Sequence, residues 1–231
     1  MQVGALGDIH GAFDTVQDIM SRHGDVPLWV CVGDVASNEG EYFEPSAPLY
    51  FIKGNNEDFD VIAEAIQGHS PAPTLHYLPN GGPYTVGPWR VAALGGTFAP
   101  SWYHTAAAAL PPSRGRRSGG ASIKLGKSRD DKRRHFVRDE VLACRNLTTI
   151  DVFMTHEAPR PFHPAGRRID AGKTVINEVL ASMRPRLHLF GHHHEFTDSV
   201  RQGVRSVGLD LVTKSYLLID ADTLKCERLD T

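Results

Sequence analysis

The chain has 231 residues, enough for one domain with a substantial core and too few for two full ones. Its apolar fraction of 41% and charged fraction of 23% are those of an ordinary globular protein. A net charge of −2 excludes a global attraction to nucleic acid or membrane, so any basic surface must be local.

The chain enters a strand almost at once, with no basic region leading into an apolar stretch. No run approaches the roughly 18 apolar residues that span a bilayer, so a cytoplasmic protein without membrane contact is expected. The cysteines Cys31, Cys144 and Cys226 stand far apart and form no CxxC pair, which argues against a zinc ribbon or a disulfide framework. Cys31 lies inside an apolar run and reads as a small buried thiol.

In chain order, Val3 to Leu6, Leu28 to Val32 and Leu49 to Ile52 are short apolar runs of the buried-strand kind. Between them, Phe13, Val16, Ile19 and Met20 recur at helical spacing over residues 13–22, with Asp14 near the start to suit the helix dipole. Phe59, Ile62, Ala63 and Ile66 predict a second helix over 58–67. Leu75–Leu78, Tyr84–Val86 and Arg90–Leu94 then read as strands, separated by the turn signals Asn80-Gly81-Gly82-Pro83 and Gly87-Pro88.

Residues 97–135 are expected to be an irregular basic insertion, a loop or lid. They carry Arg114, Arg116, Arg117, Lys124, Lys127, Arg129, Lys132, Arg133 and Arg134. Helices over 136–145 and 172–183 lead into strands at Val152 to Met154 and Leu187 to Phe190. The end is again β-rich, with strands at Ser199–Val200, Ser206–Leu211, Tyr216–Ile219 and Thr223–Arg228, and a turn at Asp220-Ala221-Asp222. Strand–helix alternation followed by a run of strands predicts an α/β fold in which two mixed sheets pack face to face with helices outside. One domain is expected over 1–231.

Five of the apolar runs end in chemistry-bearing motifs: Asp8-Ile9-His10, Gly33-Asp34, Gly54-Asn55-Asn56-Glu57, Thr155-His156-Glu157 and Gly191-His192-His193-His194. Ligands of open α/β sheets bind outside the carboxyl ends of the strands, so these motifs should converge. Asp8 and His10 are two apart, which on extended backbone places both on one side, and His192 and His194 repeat that spacing while His193 points elsewhere. Asp34 has two carboxylate oxygens and can bridge two cations. Asn55 adds an amide oxygen and His156 an imidazole. The oxygen and nitrogen set without thiolate suits manganese, iron, zinc or nickel better than calcium or a closed thiolate site.

These five blocks resemble the calcineurin-like metallophosphoesterases, whose pattern reads D-x-H, GD, GN-H-D/E, H and GH-x-H, and the resemblance covers essentially the whole chain. It implies a four-layer sandwich and two divalent ions, manganese first among the candidates. Asp8, His10 and His194 would hold the first ion, Asn55, His156 and His192 the second, and Asp34 would bridge them. Two ions about 3.5–4 Å apart would acidify a shared water and leave hydroxide as the nucleophile on a phosphoester. Within the family, Gly95-Gly96-Thr97-Phe98 and His156-Glu157-Ala158-Pro159 are similar to stretches of the RNA lariat debranching enzymes, which implies a nucleic-acid phosphodiester. Those enzymes usually carry Cys where Asp8 stands.

The sequence leaves the family pattern at two places. Where a His after GN would protonate the leaving group or steady the phosphate, this chain has Asn56, and an amide donates a hydrogen bond but no proton near neutral pH. Relatives with Cys in that slot are associated with diesterase activity. The expected substrate is therefore a phosphodiester, such as a nucleotide, a cyclic nucleotide or a nucleic acid, with Asn55 and Asn56 touching it and Asp34, Asn56 and His194 serving catalysis. Glu57 keeps the acidic position and is expected to orient its neighbours. The second departure is Val35-Ala36-Ser37-Asn38-Glu39 after Gly33-Asp34, which replaces the Asp-Arg-Gly of many protein and dinucleotide phosphatases and argues against those substrates.

Arg160 and His163 follow the fourth motif and are candidates for substrate phosphate. The stretch Arg114 to Arg134 is a candidate nucleic-acid contact. Trp102, Tyr103 and His104 could stack on a base or pack in the core. His23, His69, His76, His135 and His188 lack a spacing partner and read as structural or surface residues. A phosphomonoesterase and a non-catalytic metal-binding scaffold of the same fold are the alternative readings. Oligomeric state is not encoded in any motif.

Overall fold

The computed structural model describes residues 1–112, 131–166 and 168–231. One six-stranded sheet runs in the order β14-β13-β1-β2-β3-β4. Its members are β1 (Gln2–Leu6), β2 (Trp29–Cys31), β3 (Leu49–Phe51), β4 (Leu75–Tyr77), β13 (Ser215–Asp220) and β14 (Cys226–Asp230). A second six-stranded sheet runs β11-β12-β10-β9-β6-β5. It comprises β5 (Gly81–Val86), β6 (Trp89–Leu94), β9 (Val152–Thr155), β10 (Leu187–Phe190), β11 (Thr197–Arg201) and β12 (Val204–Gly208). In each sheet four adjacent strands are parallel, β1 to β4 in the first and β12, β10, β9 and β6 in the second, with antiparallel pairs at the edges.

Strand alternation explains the layering. Val3, Ala5, Val30, Val32, Val91, Ala93, Val152, Met154, Leu187, Leu189, Leu217 and Ile219 face inward and form one core between the sheets. Their neighbours along the same strands face outward. Leu6, Trp29, Cys31 and Phe51 are covered by Val16, Ile19 and Met20 of α1 (Phe13–Arg22) and Phe59 and Ile62 of α2 (Phe59–Ile66). Leu94 and Phe153 are covered by Val141 and Cys144 of α3 (Arg138–Arg145) and Ile176, Val179, Leu180 and Met183 of α4 (Thr174–Met183). Strands buried on both faces read as continuous apolar runs, which is why they stand out in the sequence. The layers are helices, sheet, sheet, helices, as the sequence predicts.

Differences from the sequence reading are local. The last hairpin turns over 221–225, with the Asp220 carboxylate accepting the Thr223 N–H at 2.8 Å, so β14 starts at Cys226 rather than Thr223. The stretch 97–135 is not wholly irregular. Thr97–Phe98 (β7) pairs in parallel with His135–Phe136 (β8), and Phe136 is fully buried. Tyr103 packs edge-on against Phe98 at 5.2 Å, so it is a packing residue. Asp131 is buried and pairs with Arg133, which also reaches Asp60 on α2 at 3.0 Å. The basic positions from Arg114 to Arg129, and with them the expected lid, lie outside the described residues.

His188 is structural, fully buried between Thr155 Oγ1 at 2.9 Å and Ser206 Oγ at 3.1 Å. Thr155 in turn donates to the Glu157 carbonyl at 2.7 Å, so this polar chain ties β10 to the turn that carries His156. Burial pushes the His188 imidazole down to about 3 from 6.5. A depressed base means that the fold loses stability as pH falls from the unfolded value towards the folded one. Acidification to about pH 4.5 should cost about 2–3 kcal/mol through this residue. Urea denaturation of His188→Gln, which cannot titrate, should show a correspondingly smaller drop between neutral and acid pH; an equal drop would refute the assignment.

Candidate metal centre

The register of the sheets brings the five motifs to one edge. Leu6 pairs with Cys31, Cys31 with Phe51, and Phe190 with Thr155, so the loops after β1, β2, β3, β9 and β10 leave at matched levels. Close approach of these loops needs glycine. A Cβ on Gly54 would collide with the carboxylate and backbone nitrogen of Asp34, and one on Gly191 would lie 2.5 Å from Asp8 Oδ1. His10, Asp34, His192 and His194 all take positive φ, held there by the surrounding contacts.

Two donor groups result. In the first, His194 Nε2 is 3.0 Å from Asp8 Oδ2 and 3.2 Å from His10 Nε2, while His10 Nε2 is 3.6 Å from Asp34 Oδ2. In the second, His156 Nε2 is 3.2 Å from Asn55 Oδ1, 3.2 Å from His192 Nδ1 and 3.6 Å from Asp34 Oδ2. Asp34 Oδ2 thus stands equally far from an imidazole of each group. Every sequence-predicted ligand is in one of the two.

Hydrogen bonding says what the second group lacks. His156 Nδ1 faces the Val32 carbonyl at 2.8 Å and must therefore carry the proton of a neutral ring. In the neutral ring Nε2 then presents a lone pair to Asn55 Oδ1, His192 Nδ1 and Asp34 Oδ2, all of which can offer lone pairs too. Burial lowers this imidazole, but the charges of Asp34 and Asp8 outweigh it and hold it above its usual value, so a proton fills that place when no cation does. In the first group Asp8 Oδ2 is buried without a hydrogen-bond partner, although His194 lies beside it. Converging acceptors of oxygen and nitrogen are the chemistry of a divalent-cation site, and the residues present fit such ions.

Electrostatics agree. Burial raises the Asp34 carboxyl to about 7, against the opposing charge of His156. For Asp8, burial also pushes upward, but the His194 imidazole 3.0 Å away and the charge of His156 outweigh it and leave the group below its usual value. His192 is held down to about 2, first by burial and then by His156, so its ring stays neutral.

Supporting contacts surround the ligands. Glu57 accepts Val35 N at 3.0 Å, Ala36 N at 3.2 Å, Gly54 N at 3.2 Å and the Tyr42 hydroxyl at 2.9 Å, joining the loops of Asp34 and Asn55. Asn56 donates its backbone N–H to Asp34 Oδ1 at 2.7 Å. The main-chain N–H of His192 donates to Asp8 Oδ1 at 3.1 Å. Glu157, His192 and His193 form a third cluster, but Lys173 Nζ already sits 3.3 Å from Glu157 Oε2. His193 stacks on Phe162 at 4.6 Å and meets the His192 ring edge-on at 4.8 Å.

Some of these partners escape sequence reading. Lys53 is buried, with its ammonium donating to the carbonyls of Arg133 at 3.0 Å and His135 at 3.2 Å, which fastens β8 beside the third motif. Its one sequence signal is a lysine at the end of an apolar run. Lys173 and Tyr42 carry no such signal. Arg160, a candidate for substrate phosphate, is held by Asp170 at 2.6 Å, and His163 is exposed on the same loop; neither is hydrogen-bonded to the ligands.

The sequence profile of the calcineurin-like phosphoesterases matches residues 1–196, and the chain belongs to this family. Members of the family use divalent metal ions. Among curated proteins, it is 25% identical over 240 residues to the lariat debranching enzyme of Schizosaccharomyces pombe, covering 85% of this chain and 49% of the relative. It is 23% identical to the lariat debranching enzyme of Homo sapiens, covering 95% and 47%. The chain thus spans about half the length of these relatives. Among solved structures, the protein TT1561 of Thermus thermophilus superposes with a TM-score of 0.66 at 14% identity, covering 99% of this chain and 98% of that one. A novel archaeal phosphodiesterase gives 0.52 at 10% identity, with 100% of both chains covered. These similarities establish the fold. Among the described residues no helix is long and apolar enough to cross a membrane.

Proposed function

We propose that this chain is a dinuclear metal-dependent phosphodiesterase acting on nucleotides or nucleic acid, with manganese as the preferred ion. One observation carries the reading: Asp34 Oδ2 is 3.6 Å from an imidazole of each donor group, so a single carboxylate joins two cation sites. Asp8, His10 and His194 would hold the first ion and Asn55, His156 and His192 the second. When bound, such ions supply a water acidified towards neutral pKa and positive charge against the phosphoryl oxygens.

The side chains define the rest. Asp34 takes its backbone hydrogen bond through Oδ1, which leaves Oδ2 directed between the two groups. The slot after Asn55 holds an amide, so it offers the departing oxygen no proton. A poorly basic or strained leaving group needs none, which favours diesters with good leaving groups and 2′,3′-cyclic phosphates. The similarity to lariat debranching enzymes supports a nucleic-acid diester. A single cytoplasmic domain is part of the proposal.

The direct test is a phosphoester panel run with Mn²⁺, Fe²⁺, Zn²⁺ and Ni²⁺. Bis(p-nitrophenyl) phosphate should turn over much faster than p-nitrophenyl phosphate. The reverse ranking would favour a monoesterase. Metal-independent partner binding with no turnover on any ester would make the chain a scaffold.

A further inference from the structure

Asn56 occupies the position where the family pattern places a histidine, and its amide is already engaged. Its side-chain nitrogen Nδ2 lies 2.7 Å from His10 Nδ1. The other ring nitrogen, Nε2, faces His194 Nε2 at 3.2 Å, Asp34 Oδ2 at 3.6 Å and Asp8 Oδ2 at 3.8 Å. For Nε2 to serve as a ligand it must present a lone pair, and a neutral imidazole then carries its one proton on Nδ1. With a metal on Nε2, Nδ1 would therefore be the donor, and the amide must turn over to present its oxygen where Nδ2 now faces the ring. Amide oxygen and nitrogen exchange by a half-turn about Cβ–Cγ, so the His10 tautomer selects which of them faces the ring.

We infer that Asn56 is a positioning residue for the first metal site, its side-chain oxygen accepting the His10 Nδ1–H and thereby fixing the tautomer and direction of that ligand. The inference rests on the dinuclear reading above. Outer partners of ligating histidines raise ligand basicity and hold ring orientation. Asn56 reaches two ligands at once, His10 through its side chain and Asp34 through its backbone N–H at 2.7 Å. With its oxygen on His10, the amide turns its two N–H donors away from that ring, and neither can transfer a proton to the leaving oxygen. The substitution at this position thus exchanges a proton-donating slot for a more firmly held metal ligand.

Calorimetric titration of the whole chain with Mn²⁺ and Zn²⁺ tests this. Asn56→Ala should weaken one of two ion equivalents about 10- to 100-fold and leave the other unchanged. Asn56→Asp should bind both at least as tightly as wild type, because a carboxylate is the stronger acceptor for Nδ1–H. At saturating metal, the rate loss of Asn56→Ala should be the same for aryl diesters of high and low leaving-group pKa. In the zinc-loaded wild type, nitrogen NMR should find His10 protonated at Nδ1, a readout that needs no variant and so survives any folding defect. Unchanged affinity in Asn56→Ala, a rate loss that steepens with leaving-group pKa, or an unprotonated Nδ1 in the zinc-loaded protein would overturn the inference alone. A wild-type chain that takes up no divalent ion overturns the dinuclear reading along with it.

Discussion

Asp34→Asn is expected to lose roughly 10³-fold or more of metal-stimulated phosphodiesterase turnover while remaining folded, the scale on which major electrostatic contacts contribute to catalysis. The substitution is nearly isosteric, and the amide oxygen can keep accepting the Asn56 N–H now bound by Oδ1 at 2.7 Å. What disappears is the negative oxygen between His10 Nε2 and His156 Nε2, 3.6 Å from each. Burial makes this carboxylate costly to hold alone, as its rise to about 7 indicates, and cations on both sides would favour its charged form. An amide is neutral and a weak ligand, so each ion loses a charge partner. Metal content should fall below two equivalents, and added metal should not restore turnover. Wild-type turnover at full metal content would remove Asp34 from the bridging position.

The candidate ligands stood out because each motif is short and sits at the end of a run buried on both faces. Asp8 lies two residues beyond Leu6 and His192 two beyond Phe190, so placing the strand placed the ligand. The second layer was legible only in part. Glu57 stands inside the third motif and could be assigned a supporting role, but its partners Val35, Ala36 and Tyr42 depend on how loops fold back after β2. The two-residue strands β7 and β8 are too short to show any period, and they pair across the whole basic stretch. Lys53 satisfies its ammonium on carbonyls of Arg133 and His135, and backbone acceptors leave no mark on a sequence. Asn56 was visible as a departure from the pattern. Its partner was not, because the contact runs from residue 56 back to His10 across two strands.

Glu57→Ala carries the second large effect, on stability and metal uptake together. The Glu57 carboxylate is buried and accepts three backbone N–H groups and one hydroxyl. Tyr42 can contribute only as a donor here, since burial and the adjacent carboxylate push its phenol well above the usual range. Alanine leaves the three buried N–H groups without acceptors, at about 1–3 kcal/mol each. A loss of about 3–9 kcal/mol is large against the roughly 5–15 kcal/mol that holds a typical domain together. Tyr42→Phe removes one donor and keeps the backbone contacts, so it should cost only about 1 kcal/mol. Because Val35 and Gly54 share Glu57 Oε1, their common acceptor sets the spacing between the Asp34 and Asn55 loops. Folded Glu57→Ala should therefore also bind the second ion more weakly, by about the 10- to 100-fold seen for lost supporting contacts. Urea denaturation gives the first quantity and calorimetric titration of the folded protein the second. A variant within about 1 kcal/mol of wild type that still binds both ions normally would show that each loop holds its own geometry, since one buried acceptor could not then be organising them.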